Sequence, residues 1–269
     1  MLVVYVDDFK LSGPKTNLAK GWKLIRENIK TDDPAPLGRY LGCDHIKGNK
    51  VITKGINPIT KAGGEPQPGS NSTTNVRHIT YDMSAFLGSC VEKYLQLAKI
   101  DRSKLKKVAT PFLDDNKTKR ESDTDDLVWP LSLAAKMKQD SKGSTKVQAG
   151  TLADIACKIL MKILYAARMA RYDLLKAVAR LASKVTKWDS ICDQELHRLV
   201  SYINSTIDLY MISFVGDQPA DLTVRLFTDA DFAGEQSDSK STSGTFLCLS
   251  GPNTLAPQAD RKRSCRERV

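Results

Sequence analysis

Two adjacent carboxylates, Asp7 and Asp8, lie between two short runs of β-forming residues. Residues 2–6 are rich in β-branched and aromatic side chains, and residues 9–11 alternate apolar with polar, so the segment predicts a tight β-hairpin with the aspartates at its turn. Mg²⁺ prefers such oxygen ligands and takes one or two of them from a protein, together with water and substrate phosphates. Two such ions can stabilise the attacking and leaving oxygens of a phosphoryl transfer. The alternative is a solvated Asp-Asp turn without a chemical role.

The elements that must hold these carboxylates follow in the chain. An apolar stripe predicts a helix behind the hairpin, with Thr16 or Asn17 as its cap. Residues 40–46 and 50–54 predict a second hairpin, connected by residues 47–49. The stripe of the helix consists of Leu18, Trp22, Ile25 and Ile29.

Further along, a strand over residues 76–81 and a helix over about 85–99 are predicted, with Asp82 or Ser84 as the helix cap. Three amphipathic stretches, 151–168, 173–184 and 189–206, predict a small helical bundle. Its basic side chains form either a solvated face or a contact surface for a duplex backbone. They are Lys158, Lys162, Arg168, Arg171, Lys176, Arg180, Lys184, Lys187 and Arg198.

Composition narrows the class of protein without selecting a function. The 269 residues are 41% apolar, enough for a buried core, and the formal charge of +10 favours a polyanionic partner. The six cysteines form no Cys-x-x-Cys pair, which argues against a zinc ribbon and favours reduced thiols. No signal peptide or membrane span is predicted, so we expect a cytoplasmic or nuclear protein without a membrane partner.

Four segments stand out in chain order: Leu2-Val3-Val4-Tyr5-Val6-Asp7-Asp8; Tyr40-Leu41-Gly42; Tyr165 to Leu174; and Thr228-Asp229-Ala230-Asp231-Phe232-Ala233-Gly234 with Lys240-Ser241-Thr242-Ser243-Gly244. Together they resemble the pol polyprotein of copia-type LTR retrotransposons. The first resembles the reverse transcriptase palm motif, the second its primer-gripping strand, the third its thumb signature and the fourth the opening of its RNase H domain.

The resemblance implies an RNA-directed DNA polymerase that uses two-metal nucleotidyl transfer. It implies that Asp7 and Asp8 are the catalytic ligands of Mg²⁺, with Mn²⁺ as an alternative, and that Tyr5 and Val6 lie beside the nucleotide or primer. The implied partners are an RNA template, a DNA primer and, for a complete enzyme, deoxynucleoside triphosphates.

The resemblance further implies that Leu41 and Gly42 grip the primer end and that Asp229 is a metal ligand of RNase H. The predicted fold class is α+β, with a partial palm of β-hairpins and packed helices, a helical thumb or connection, and a truncated RNase H-like α/β segment. The predicted divisions are 1–113 for the palm with an inserted loop at 55–75, 114–150 for a charged linker, 151–216 for the thumb, and 217–269 for the RNase H-like segment with a divergent basic tail.

A chain that opens inside the palm hairpin is expected to be a fragment. The upstream fingers and the third carboxylate of the palm are expected to be missing, so we expect the isolated chain to be inactive. Two alternatives stay open, a non-catalytic basic nucleic-acid-binding module and a non-functional transposon relic. The oligomeric state is not predicted.

Overall fold

The computed structural model describes residues 1–53, 73–112, 150–230 and 241–265. They form helices and antiparallel sheets, the mixed α+β class that the sequence predicted. No helix within these ranges is both long and apolar enough to cross a membrane.

The chain opens with a two-stranded sheet and a helix. Strands β1 (Leu2–Tyr5) and β2 (Asp8–Leu11) pair antiparallel, which confirms the predicted hairpin. Helix α1 (Lys15–Arg26) follows, but Pro14 stands at its cap without a side-chain hydrogen bond, so the predicted cap at Thr16 or Asn17 is wrong. No residue from 1 to 42 is buried, so this unit has no core of its own.

A seven-stranded antiparallel sheet forms the centre of the fold, in the order β3-β4-β5-β6-β9-β8-β7. It runs without interruption from the predicted palm strands to the predicted RNase H strands, because β6 pairs with β5 on one side and β9 on the other. Its strands are β3 (Arg39–Tyr40), β4 (Cys43–Thr53), β5 (Thr73–Asp82), β6 (Met211–Val215), β7 (Thr223–Ala230), β8 (Ser241–Gly251) and β9 (Thr254–Cys265).

The predicted hairpin connection at residues 47–49 is wrong, because β4 continues through it and pairs with β5 along its whole length. Gly48 lies opposite His78, and a Cβ on Gly48 would lie 2.4 Å from the His78 Cε1. The glycine therefore makes room for an imidazole ring across the sheet. The tight turn lies earlier, at Leu41–Gly42 between β3 and β4.

Four helices of the described ranges pack into the main core. They confirm the amphipathic pattern, since the buried side chains fall on the predicted apolar faces, such as Leu87 and Val91 or Ile159 and Ile163. The helices are α2 (Ser84–Ala98), α3 (Ala153–Met169), α4 (Leu175–Ser183), which a 3-10 turn at Tyr172–Leu174 precedes, and α5 (Ser190–Ser205).

Asp193 ties the start of α3 to α5. Its buried carboxylate accepts hydrogen bonds from the Thr151 N–H at 2.6 Å, the Thr151 hydroxyl at 2.9 Å, the Leu152 N–H at 3.1 Å and the Trp188 Nε1–H at 2.6 Å. The backbone donors belong to the two residues that directly precede α3. A side chain from α5 thus holds the segment that leads into α3.

Arg171 is buried, so its predicted place on an exposed basic face is wrong. Its guanidinium donates two hydrogen bonds to Asp173, at 2.9 and 2.8 Å, and two to the backbone oxygen and hydroxyl of Thr206, both at 2.9 Å. A buried cation requires such pairing, because an unpaired charge is costly to remove from water. Arg171 therefore connects the end of α3 to the end of α5.

Candidate functional site

The turn that presents the two aspartates is built from Val6 and Asp7. Tyr5 pairs with Asp8 across the hairpin, so Asp8 is already the first residue of β2. Val6 has a φ of 55°, a left-handed value that is an outlier for a β-branched residue and costs about 1–3 kcal/mol. The ladder between β1 and β2 holds this conformation and leaves the Val6 side chain 85% exposed.

Both carboxylates of this turn are exposed. Neither forms an ion pair or a side-chain hydrogen bond with a residue in the described parts of the chain. They are therefore available to a ligand from solution.

A second strained turn lies at Leu41–Gly42. Tyr40 pairs with Cys43, and the two residues between them have φ values of 52° and 74°. A two-residue turn with positive φ at both positions fits the twist of a hairpin, and it favours Asn-Gly or Gly-Gly over a leucine. The side-chain hydroxyl of Tyr165, on α3, donates a hydrogen bond to the Leu41 carbonyl.

The charge of Asp8, at the first turn, contributes to the pKa shifts of two tyrosines at the second turn. Burial raises the pKa of Tyr40, and the negative charge of Asp8 raises it further. Burial also raises the pKa of Tyr165, with smaller contributions that include Tyr5 and Asp8. Asp8, Tyr40 and Tyr165 come from three separate elements, and the fold brings them within electrostatic reach of one another.

Lys10 and His45 attach the hairpin to β4. The Lys10 Nζ lies 3.4 Å from the His45 Nε2 and 5.4 Å from the centre of the Tyr40 ring. The His45 Nδ1 lies 3.0 Å from the Cys43 carbonyl oxygen and donates to it, which leaves Nε2 free to accept from the ammonium. Burial lowers the pKa of His45 and the Lys10 charge lowers it further, while hydrogen bonds to the backbone of Cys43 and Gly38 and the charge of Asp44 act in the opposite direction.

The donor set at the first turn fits a hard divalent cation. Asp7 and Asp8 provide two carboxylates, the number that Mg²⁺ takes where water and phosphates complete its shell. Within the described ranges no group of three or more His, Cys, Asp or Glu side chains is arranged to hold a metal ion. The metal assignment stays a prediction.

Asp229 lies far from this site in the sheet. It is the next-to-last residue of β7, is exposed, and pairs with Gly244 of β8. β7 forms the edge opposite β3, next to which the Leu41–Gly42 turn lies. The inserted loop was predicted at 55–75 and the charged linker at 114–150, and of these residues 55–72 and 114–149 lie outside the described residues, as do 231–240 with Asp231. The prediction of a loop is wrong for residues 73–75, because they belong to β5 and pair with β4.

Sequence reasoning found the residues of both turns but missed the contacts that support them. Lys10, His45 and Tyr165 had no assigned role, although Lys10 lies two residues after Asp8 and therefore on the same face of β2. No family model, curated protein or solved structure matches this chain.

Proposed function

We propose that this chain is part of a copia-type retrotransposon polymerase and contributes to RNA-directed DNA synthesis. One observation carries the proposal: two strained tight turns, one with the Asp7–Asp8 pair and one at Leu41–Gly42, lie close together, because Lys10 of β2 contacts Tyr40 and His45 on either side of the second turn. Backbone strain is retained where the surrounding structure holds it, and it concentrates at functional sites. The motif order along the chain supports the same assignment.

In this proposal Asp7 and Asp8 hold Mg²⁺ at the tip of the hairpin. The ion, when bound, lowers the cost of forming the attacking 3′ oxygen and neutralises charge on the triphosphate. The Val6–Asp7 turn orients the carboxylates, and the contact between Lys10 and His45 connects β2 to β4. The backbone of Leu41–Gly42, which carries no bulky side chain at Gly42, lies against the primer end.

The RNase H part of the proposal rests on Asp229 alone. An exposed carboxylate near the end of β7 has the chemistry of one metal ligand for hydrolysis of a phosphodiester. Because a single carboxylate does not make a two-metal site, we expect no hybrid cleavage from this residue by itself.

A second candidate is a basic nucleic-acid-binding module without catalysis. The observation that favours it is the formal charge of +10 together with exposed basic side chains on the helices. Such a module binds mainly through phosphate contacts, and its affinity falls steeply with salt. The exposed side chains are Lys158, Arg168, Lys176 and Lys187.

The test measures how the parent protein and its variants bind a hybrid, which consists of an RNA template annealed to a labelled DNA primer with a recessed 3′ end. Fluorescence anisotropy is recorded for the full chain in Mg²⁺ and in EDTA, over a series of salt concentrations. The variants are Asp7→Asn, Asp8→Asn and the matched control Asp32→Asn, which removes a negative charge from an exposed site elsewhere. We expect Mg²⁺ to strengthen binding by the parent and by the control, and this enhancement to fall by about tenfold or more in the two turn variants.

The outcomes separate the two candidates. An affinity that falls with salt but responds equally to Mg²⁺ in all four proteins would reject the metal site and favour the basic module. Primer extension with Mg²⁺ and then Mn²⁺ is measured in parallel. Extension by the parent that both turn variants lose would show a complete polymerase site and contradict the expected inactivity of the isolated chain.

A further inference from the structure

The hydroxyl of Tyr165 connects the helical part of the fold to the Leu41–Gly42 turn. It donates to the carbonyl of Leu41, more than a hundred residues away in the chain. Tyr165 lies in the C-terminal half of α3, whose inner face belongs to the main core. The bond therefore joins a half-buried turn to the helix that carries part of the main core.

The turn needs such a partner because Leu41 adopts a conformation that its side chain disfavours. A φ of 52° is an outlier for a bulky residue, and a leucine has no polar side chain that could stabilise the left-handed region locally. The β3–β4 ladder that closes the turn is short, since β3 is only two residues long. The Tyr165 hydrogen bond supplies a second constraint.

Aromatic packing fixes the direction of the Tyr165 side chain. Its ring lies 5.3 Å from the ring of Phe86, tilted by 55°. Phe86 in turn lies against Gly42, where an added Cβ would be 3.4 Å from the Phe86 Cδ2. Lys162 approaches the Phe86 ring at 5.8 Å. The hydroxyl is thus aimed by packing and has little freedom to leave the carbonyl.

We propose that Tyr165 is a positioning residue, which holds the Leu41–Gly42 turn at a fixed place beside the Asp8 hairpin. The inference rests on the proposed function for its consequence, since a fixed turn is what a primer end requires for alignment with the metal ligands. The hydrogen bond itself, and its effect on the turn, can be measured without any catalytic activity.

The experiment uses the full chain with Tyr165→Phe, which removes the hydroxyl and keeps the ring on Phe86. The control is Tyr210→Phe, at a tyrosine that is 54% exposed. Hydrogen exchange of the amides of residues 41–43 is measured by mass spectrometry. We expect exchange in the turn to accelerate by about threefold to tenfold in Tyr165→Phe, the range expected for one hydrogen bond, and to be unchanged in the control.

A second substitution tests whether the bond acts by holding the strained turn. Leu41→Asn in the Tyr165→Phe background should return exchange close to the parent rate, because Asn-Gly adopts this turn readily without outside support. A purely structural role in helix packing would not be rescued at a distant turn. Unchanged exchange in Tyr165→Phe, or accelerated exchange that Leu41→Asn does not reduce, would overturn the proposal.

Measurements of hybrid binding distinguish a failure of this inference from a failure of the proposed function. Tyr165→Phe should weaken binding of the recessed-end hybrid by about twofold to tenfold and leave binding of a blunt hybrid of equal length unchanged. Equal weakening for both hybrids would reject a role at the primer end. If the parent protein binds neither hybrid, the proposed function fails, while the exchange and rescue measurements still decide whether Tyr165 positions the turn.

Discussion

Replacing Asp193 by alanine should destabilise the helical core more than the same replacement at any exposed aspartate. The carboxylate accepts four hydrogen bonds, from the two polar groups of Thr151, the Leu152 N–H and the Trp188 indole. Asp193→Ala removes the acceptor and leaves all four donors in place. Water can reach Thr151, which is exposed, but Leu152 and Trp188 are only 5% and 7% exposed.

The size of the effect follows from these exposures. Each buried donor that loses its partner costs about 1–3 kcal/mol, and losing the charged acceptor for Thr151 adds a smaller amount. The expected loss in the free energy of unfolding is therefore about 3–5 kcal/mol, a large part of the 5–15 kcal/mol typical of folded proteins. For a chain of this size the melting temperature should fall by about 10 °C.

The assay is urea unfolding followed by circular dichroism, with Asp154→Ala as the matched control. Asp154 lies in the first turn of α3, close to the same helix end, but is exposed, so its loss should cost at most about 1 kcal/mol. Asp193→Asn should fall between the two, because the amide keeps one acceptor oxygen and directs its NH₂ toward donors. If Asp193→Ala costs no more than Asp154→Ala, the carboxylate does not hold the segment that leads into α3 and the reasoning is refuted.

Two further measurements follow from the core. The Nδ1 of His197 lies 2.9 Å from the Tyr94 hydroxyl, and burial lowers the pKa of His197 from 6.5. The unfolded chain therefore binds a proton that the folded chain excludes, and the free energy of unfolding should fall as the pH drops below about 6.5, by up to 1.4 kcal/mol per pH unit. His197→Gln should flatten this pH dependence in urea titrations. An unchanged slope would contradict the role of His197. Arg171→Ala should lower the free energy of unfolding by about 3–5 kcal/mol. Arg171→Lys should cost nearly as much, since a lysine cannot bind both Asp173 and Thr206 with the geometry of a guanidinium. Thermal melts in which the lysine variant is as stable as the parent would show that charge alone suffices.

The regular elements were predictable because they depend on local pattern. Residues 2–11 carry enough β-branched and alternating residues to define a hairpin, and α2, α3 and α5 carry long apolar stripes. Residues 47–49 misled the prediction, because a glycine between polar residues is typical of a turn. Its actual role, space for His78, depends on a residue in another strand.

The candidate site was predictable in part for the same reason. The types and spacing of Asp7 and Asp8 indicate metal chemistry from sequence alone, and the metal itself stays a prediction. The supporting contacts of His45 and Tyr165 depend on which distant elements meet, and no local pattern contains that information. At Arg171 the local pattern gave a wrong prediction. A charged side chain among other basic residues predicts exposure, but its hydrogen-bond partners hold Arg171 in the core.

The continuous sheet has a consequence for how the chain folds. The hairpins β1–β2 and β8–β9 and the helices form through contacts between neighbours in sequence, which close quickly. The pairing of β5 with β6 joins segments separated by most of the helical core, and its loop-closure entropy is lost before any of its contacts form. Closure of the sheet at β6 should therefore be the slow step. A nascent chain that has not yet reached Met211 carries β5 as an open edge, and that edge is open to pairing with another chain until synthesis passes Val215.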